Sequence, residues 1–170
     1  MDCSITYQGS PAGTLRLEQQ GLYYLFTANC SFAPTEPLHL YAVSGFLSRS
    51  VGVVSKDGTL QRRISVHAFG RPPAYAVLGR EEDGFLPWCG VIDAETITDA
   101  YLKQDGDTQL LALPAQDGAE VPLIAYAQQM RTETVCGRNC LVLPLYNGEP
   151  LLSEEPDPAA FSFAEEEKKT

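Results

Sequence analysis

Five Asp-Gly or Asn-Gly dipeptides punctuate the chain, at Asp57-Gly58, Asp83-Gly84, Asp105-Gly106, Asp117-Gly118 and Asn147-Gly148. Such pairs supply the positive φ angles that tight hairpin turns require. Between them lie short runs rich in Val, Leu, Tyr, Thr and Phe. Short β-prone runs separated by turn signals at this spacing predict an all-β, mainly antiparallel fold: a meander closing as a barrel or sandwich, with at most one or two short helices.

The first half gives the clearest pattern. Ser4 to Tyr7 is a first strand and Gly9 to Gly13 a turn. Thr14 to Gln19 alternates, with Leu15 and Leu17 inward. Leu22 to Phe32 carries apolar residues on both faces, which predicts a central or doubly covered strand. Leu38 to Val43 and Leu47 to Val54 form a hairpin around Ser44-Gly45. Thr59 to Phe69 alternates again, but Arg62 falls on its inner side and therefore requires a sheet edge or a partner. The second half is less regular. Asp93 to Gln104 admits a helix capped by Asp93 or, from Thr96-Ile97-Thr98, a strand. Thr108 to Leu113, Val121 to Ala127 and Asn139 to Leu145 are expected strands, with Pro114, Pro122 and Pro144 confining them to edges or ends. The organisation expected is a β-rich body over 1–148, either whole or as two small halves split near 70–84. An acidic tail over 149–170 follows, with a short helix conceivable at 158–169.

Charge excludes more than it suggests. The net charge is −10, and seven of the acids stand in the tail against two lysines. Nucleic-acid binding leans on clustered Lys and Arg, and Arg62-Arg63 is the only basic pair of the body, its side chains alternating across a strand. No nucleic acid and no anionic membrane surface is expected as a partner. The apolar runs are too short to span a bilayer. Met1-Asp2-Cys3-Ser4 shows no basic and apolar leader, so a cytoplasmic location is expected. The five cysteines, Cys3, Cys30, Cys89, Cys136 and Cys140, are then free thiols.

Cys136-Gly137-Arg138-Asn139-Cys140 is the sharpest local motif. A turn there brings two thiols together, and the adjacent arginine is of the sign that favours a thiolate. The spacing matches neither a thioredoxin-like pair nor a zinc pair. His39 and His67 are the only imidazoles, and no nucleophile elbow accompanies them. Asp105-Gly106-Asp107 lacks the closing Glu of a calcium loop. Tyr23, Tyr41, Tyr75 and Trp88 are candidates for a ligand or partner surface. Phe161 and Phe163 in the acidic tail need a surface to cover them, on the chain itself or on a partner.

Gly13-Thr14-Leu15-Arg16-Leu17, Gly21-Leu22-Tyr23-Tyr24-Leu25-Phe26-Thr27-Ala28-Asn29-Cys30, Leu40-Tyr41-Ala42-Val43, Val51-Gly52-Val53 and Gly58-Thr59-Leu60 through Arg63-Ile64-Ser65 follow one another in an order that resembles small uncharacterised β-rich proteins of anaerobic gut bacteria. The resemblance covers roughly the first 70 residues. It implies a β meander in a bacterial cytosol, and it assigns no activity to any residue.

The absence of a catalytic constellation points to a non-catalytic binding or protein-interaction module without cofactor or metal, whose partner is another protein or a second copy. Two alternatives stand beside it. One is a small-molecule carrier with an apolar β-barrel cavity. The other is a thiol redox or metal-binding protein using Cys136 and Cys140.

Overall fold

The computed structural model describes residues 1–115 and 120–150. Seven strands form the first sheet: β1 (Asp2–Tyr7), β2 (Ser10–Gln20), β3 (Tyr23–Cys30), β4 (His39–Ser44), β5 (Leu47–Val53), β6 (Thr59–Ser65) and β7 (Tyr75–Gly79). The second sheet holds β8 (Leu86–Ile92), β9 (Glu95–Asp105), β10 (Thr108–Pro114), β11 (Arg131–Val135) and β12 (Arg138–Tyr146), with the short β13 (Glu149–Pro150) added to β12. The fold is all-β. Its helical turns, Val66–Ala68 and Ile124–Gln129, are of the tight 3-10 kind.

The first sheet runs β5-β4-β7-β1-β2-β3-β6 and curls into a nearly closed barrel. Every pairing in it is antiparallel except β1 with β7, where Ile5 stands beside Ala76. The curl brings the outer strands β5 and β6 together without a ladder of backbone bonds. Arg62 spans the seam instead: its Nη1 donates to the carbonyl of Val51 at 3.0 Å. The inward-pointing arginine in an otherwise apolar pattern thus has both an edge position and a partner. Arg62→Ala should cost about 1 kcal/mol, the worth of one charge-assisted bond discounted for solvent exposure, read as a lower urea midpoint at unchanged slope.

Inside the barrel, Ile5, Leu15, Phe26, Leu40 and Val51 are fully buried. Tyr24, Phe26 and Phe69 meet at ring-centroid distances of 6.0–6.2 Å. The lumen is therefore filled by side chains, as expected for a small barrel.

The Leu22 to Phe32 strand is central, one of the two outcomes its pattern allows, since β3 lies between β2 and β6; the doubly covered strand is β4. Leu40 through Ser44 are all buried. Leu40 and Ala42 face the lumen, while Tyr41 and Val43, with Val77 of β7, pack outward against Trp88, Leu102, Leu111 and Leu143 of the second sheet. Each large side chain so buried contributes about 1.5–3 kcal/mol. On β3 only Tyr24, Phe26 and Ala28 are buried. Leu22 and Tyr23 are exposed, and the Arg63 guanidinium lies 5.5 Å from the Tyr23 ring centre. A tyrosine covered by an arginine stem is stable at a surface, so apolarity on both faces does not by itself require two layers.

Other local expectations shift for identifiable reasons. Of the two readings of Asp93 to Gln104 the strand holds, from Glu95 onward: Asp93 and Ala94 take φ of 52° and 66° and close a two-residue hairpin between β8 and β9. The first turn is Gln8-Gly9, with φ of 52° and 86°, rather than 9–13, so β2 starts at Ser10. Val121 to Ala127 is not a strand. Pro122 has no N–H for a ladder, Leu123 is left-handed at φ 59°, and a 3-10 turn follows. Pro144 does lie within β12 but disturbs nothing. Leu110 of β10 faces it on one side, and on the other β11 pairs no further than Val142 while β13 pairs only with Leu145 and Tyr146. The proposed helix at 158–169 lies outside the described residues.

Candidate functional site

Residues two apart on a strand share a face, so β4 sets His39 and Tyr41 side by side, their ring centres 6.1 Å apart. The chain leaves the barrel after Gly79 and crosses to the second sheet through Arg80-Glu81-Glu82-Asp83-Gly84. That crossover is held at both ends. Asp83 and Gly84, at φ 52° and 86°, reverse it, and Glu82 and Phe85 exchange backbone bonds of 3.0 and 2.9 Å. From the second sheet, the β11–β12 turn reaches across. Its Cys136 N–H donates to the Glu82 carboxylate, and the Cys136 thiol donates to the Arg80 carbonyl at 3.3 Å.

The result is a cleft of about 430 Å³ lined by Glu36, Pro37, His39, Tyr41, Arg80 and Glu81. Burial pushes the Tyr41 phenol up to about 12, and the Glu81 carboxylate beside it adds to the shift. The phenol is therefore a donor at neutral pH. His39 Nδ1 lies 3.3 Å from Ser50 Oγ on the neighbouring strand β5. Among the described residues no carboxylate lies within ion-pair distance of the Arg80 guanidinium. An adjoining groove of about 480 Å³ shares Glu36 and Pro37 and is lined further by Pro34, Val53 and Val54.

The thiol motif abuts this cleft. Cys136 and Gly137, at φ 52° and 76°, form the two-residue turn, and Cys140 is already in the ladder opposite Glu133. Cys140 is buried against Val135, Val142 and Phe85, and Cys136 packs on the edge of the same cluster. Burial pushes the Cys140 thiol up to about 11, partly offset by Arg138. Burial and then the Glu82 charge raise Cys136 as well. Arg138, the cation inside the motif, is turned away. Its Nη1 and Nη2 grip Asp99 at 3.0 and 2.8 Å, and Nη1 also reaches the Tyr101 hydroxyl at 3.3 Å. A guanidinium neutralised by a carboxylate adds little to thiolate stability. Both thiols thus stay protonated at neutral pH.

The other sequence candidates are dispersed. Trp88 is buried at the junction of the sheets. Tyr23 is exposed on β3. Tyr75 lines a separate, mainly apolar cleft with Cys3 and Cys89. His67 sits exposed in the 3-10 turn after β6, its backbone N–H on Ser65 Oγ. Phe161 and Phe163 lie outside the described residues. Among the described residues no three His, Cys, Asp or Glu side chains gather as metal ligands, and no helix is long and apolar enough to cross a membrane. Arg80, Glu81, Glu36 and Pro37 were hidden in the sequence, where a charged run and a proline pair signal only an exposed break and a loop. A scan against models of protein families, a search of curated proteins and a search of solved structures each return no match to this chain.

Proposed function

We propose that the chain is a non-catalytic binding module for a protein partner in a reducing, cytoplasmic setting, and that the His39–Tyr41–Arg80–Glu81 cleft is its recognition surface. The observation that carries the proposal is the staple. A crossover closed by its own Glu82–Phe85 turn is fixed to the β11–β12 turn through Cys136, and it presents an arginine and a carboxylate over an aromatic floor. Preorganised polar groups of both signs beside apolar walls are what recognition of a partner needs, because little ordering entropy is left to lose on binding. Support over the thiol alternative comes from the direction of both thiol shifts, away from the activated thiolate. Support over the carrier alternative comes from a barrel lumen filled by Phe26, Tyr24 and Phe69.

The test compares affinity capture by the wild-type chain with capture by the Glu36→Ala/Arg80→Ala double variant, from extract of the cells that make the protein. Both substitutions are at exposed positions, so an unchanged melting temperature is expected. A partner retained by the wild type and lost by the variant is the expected result. Equal capture by both would move the recognition surface elsewhere, and capture of nothing by either would count against the module itself.

A further inference from the structure

The polar cleft and its apolar neighbour differ in what they leave unsatisfied, and that difference specifies a ligand. In the polar cleft Glu81 and Glu82 of the crossover have partners. Glu82 accepts the Cys136 N–H, and Glu81 stands against the Tyr41 hydroxyl. The guanidinium of Arg80 has no such partner among the described residues, and His39 lies on the same cleft wall. The cation left unpaired in the cleft is therefore a planar fork of donors, which matches a carboxylate. Glu36 and Glu81 at the rim oppose any ligand of higher negative charge. The net charge of −10 does not cancel the local attraction, because at physiological salt charges beyond about 8 Å are largely screened.

The second groove continues from the first across Glu36 and Pro37; its apolar walls are Pro34, Val53 and Val54, and Thr35, Ser55 and Lys56 complete its lining. A ligand that places a single carboxylate at Arg80 can thus extend apolar groups along the neighbouring surface. Resting on the binding-module reading above, we infer that the two clefts together take the C-terminus of a polypeptide: the free α-carboxylate at Arg80 and the apolar side chains preceding it over Pro37 and Val53. Capture of a terminal carboxylate by a fixed donor set is an established way of reading a peptide end. Here the staple from Cys136 would supply the fixity.

The experiment is an NMR titration of the full ¹⁵N-labelled chain with the tetrapeptide acetyl-Ala-Ala-Leu-Val as the free acid. The same peptide as its C-terminal amide, and inorganic phosphate, serve as comparators. The free acid should shift the Arg80 side-chain Nε–H and the backbone signals of His39 and Val53 saturably. The amide should bind at least about tenfold more weakly, the loss expected for one charge-assisted hydrogen bond, and Arg80→Gln should abolish the difference between acid and amide. Equal binding of acid and amide would overturn the carboxylate assignment while leaving the cleft as a binding surface. Phosphate binding as tight as the acid would overturn the peptide assignment. No shift with any probe, alongside partner capture that still depends on Glu36 and Arg80, would overturn the inference and spare the module. Loss of that capture as well would sink both.

Discussion

Replacing Trp88 with alanine is expected to lower the unfolding free energy by about 3–5 kcal/mol, the range for deleting a large aromatic from a close-packed core. Trp88 is the only tryptophan of the chain and is 1% exposed. It lies in β8, on the face that meets β4 and β7, so it belongs to the layer joining the barrel to the second sheet. Its ring stacks on Phe46 at 5.5 Å with an interplanar angle of 7°, and its Nε1–H donates to the Gly45 carbonyl at 2.8 Å. That carbonyl belongs to the β4–β5 turn, so one side chain ties a hairpin of the first sheet to a strand of the second. Gly90 belongs to the same arrangement, since a Cβ there would come within 2.6 Å of the indole. Trp88→Phe separates the two contributions. It keeps much of the packing but leaves the Gly45 carbonyl without its donor, for an expected loss of about 1–3 kcal/mol. Chemical denaturation followed by circular dichroism measures both variants without relying on the indole they lack. A Trp88→Ala protein as stable as wild type would mean that the two sheets do not depend on this contact.

A second large effect should appear in alkali. Burial pushes Cys89 up to about 12 and Cys140 up to about 11, against an ordinary thiol value of 9.0. In the unfolded chain both ionise near 9, whereas in the folded chain they hold their protons until pH 11–12. Below pH 9 both states are protonated and the thiols leave stability unchanged. Between 9 and the folded values the unfolded state alone gains by losing protons, so stability falls by about 1.4 kcal/mol per pH unit for each thiol. Together they should remove about 4 kcal/mol by pH 10.5. Tyr41, pushed from 10.0 up to about 12, steepens the fall at its upper end. Denaturation midpoints measured from pH 7.5 to 10.5 check this. Cys89→Ala should start from a lower baseline but show the shallower slope, and an unchanged slope would show that Cys89 does not titrate in this window.

What was legible in the sequence follows from where the determining physics is local. Asp83-Gly84 and Asn147-Gly148 mark real reversals, because positive φ is a property of two residues and their side chains. The hairpin at Ser44-Gly45 is readable for the same reason, and the odd inner position of Arg62 from the two-residue period of its strand. Gln8-Gly9 and Asp93-Ala94 were not read as turns, although they adopt the same backbone, since neither glutamine nor alanine advertises φ near 50–66°. β7 and β8 carry no clear signal in the sequence because they follow Pro72-Pro73 and the charged crossover. That β3 is central without a second cover, while β4 is covered on both faces, depends on which strand the second sheet lies against, a non-local fact. The candidate site divides in the same way. Tyr41 and Cys136 stand out by type, yet what joins them is one crossover, whose Glu81 stands against Tyr41 and whose Arg80 carbonyl and Glu82 carboxylate hold Cys136. No motif spacing encodes such a meeting.

The single parallel pairing of the barrel has a consequence for the order in which the protein can be assembled. β7 is the last strand of its sheet to be synthesised, yet it lies in the middle, hydrogen-bonded to β1 on one side and β4 on the other. A nascent chain that has emerged only as far as Ala74 holds two separate pieces, a four-strand ribbon β1-β2-β3-β6 and a lone β4–β5 hairpin, each with a raw inner edge. Such edges are templates for unwanted pairing, and the loop that must close to join them is long. Five residues, Tyr75 to Gly79, act as the keystone: until they are delivered the barrel is two half-arches, and a translational pause just before them would leave both inner edges open.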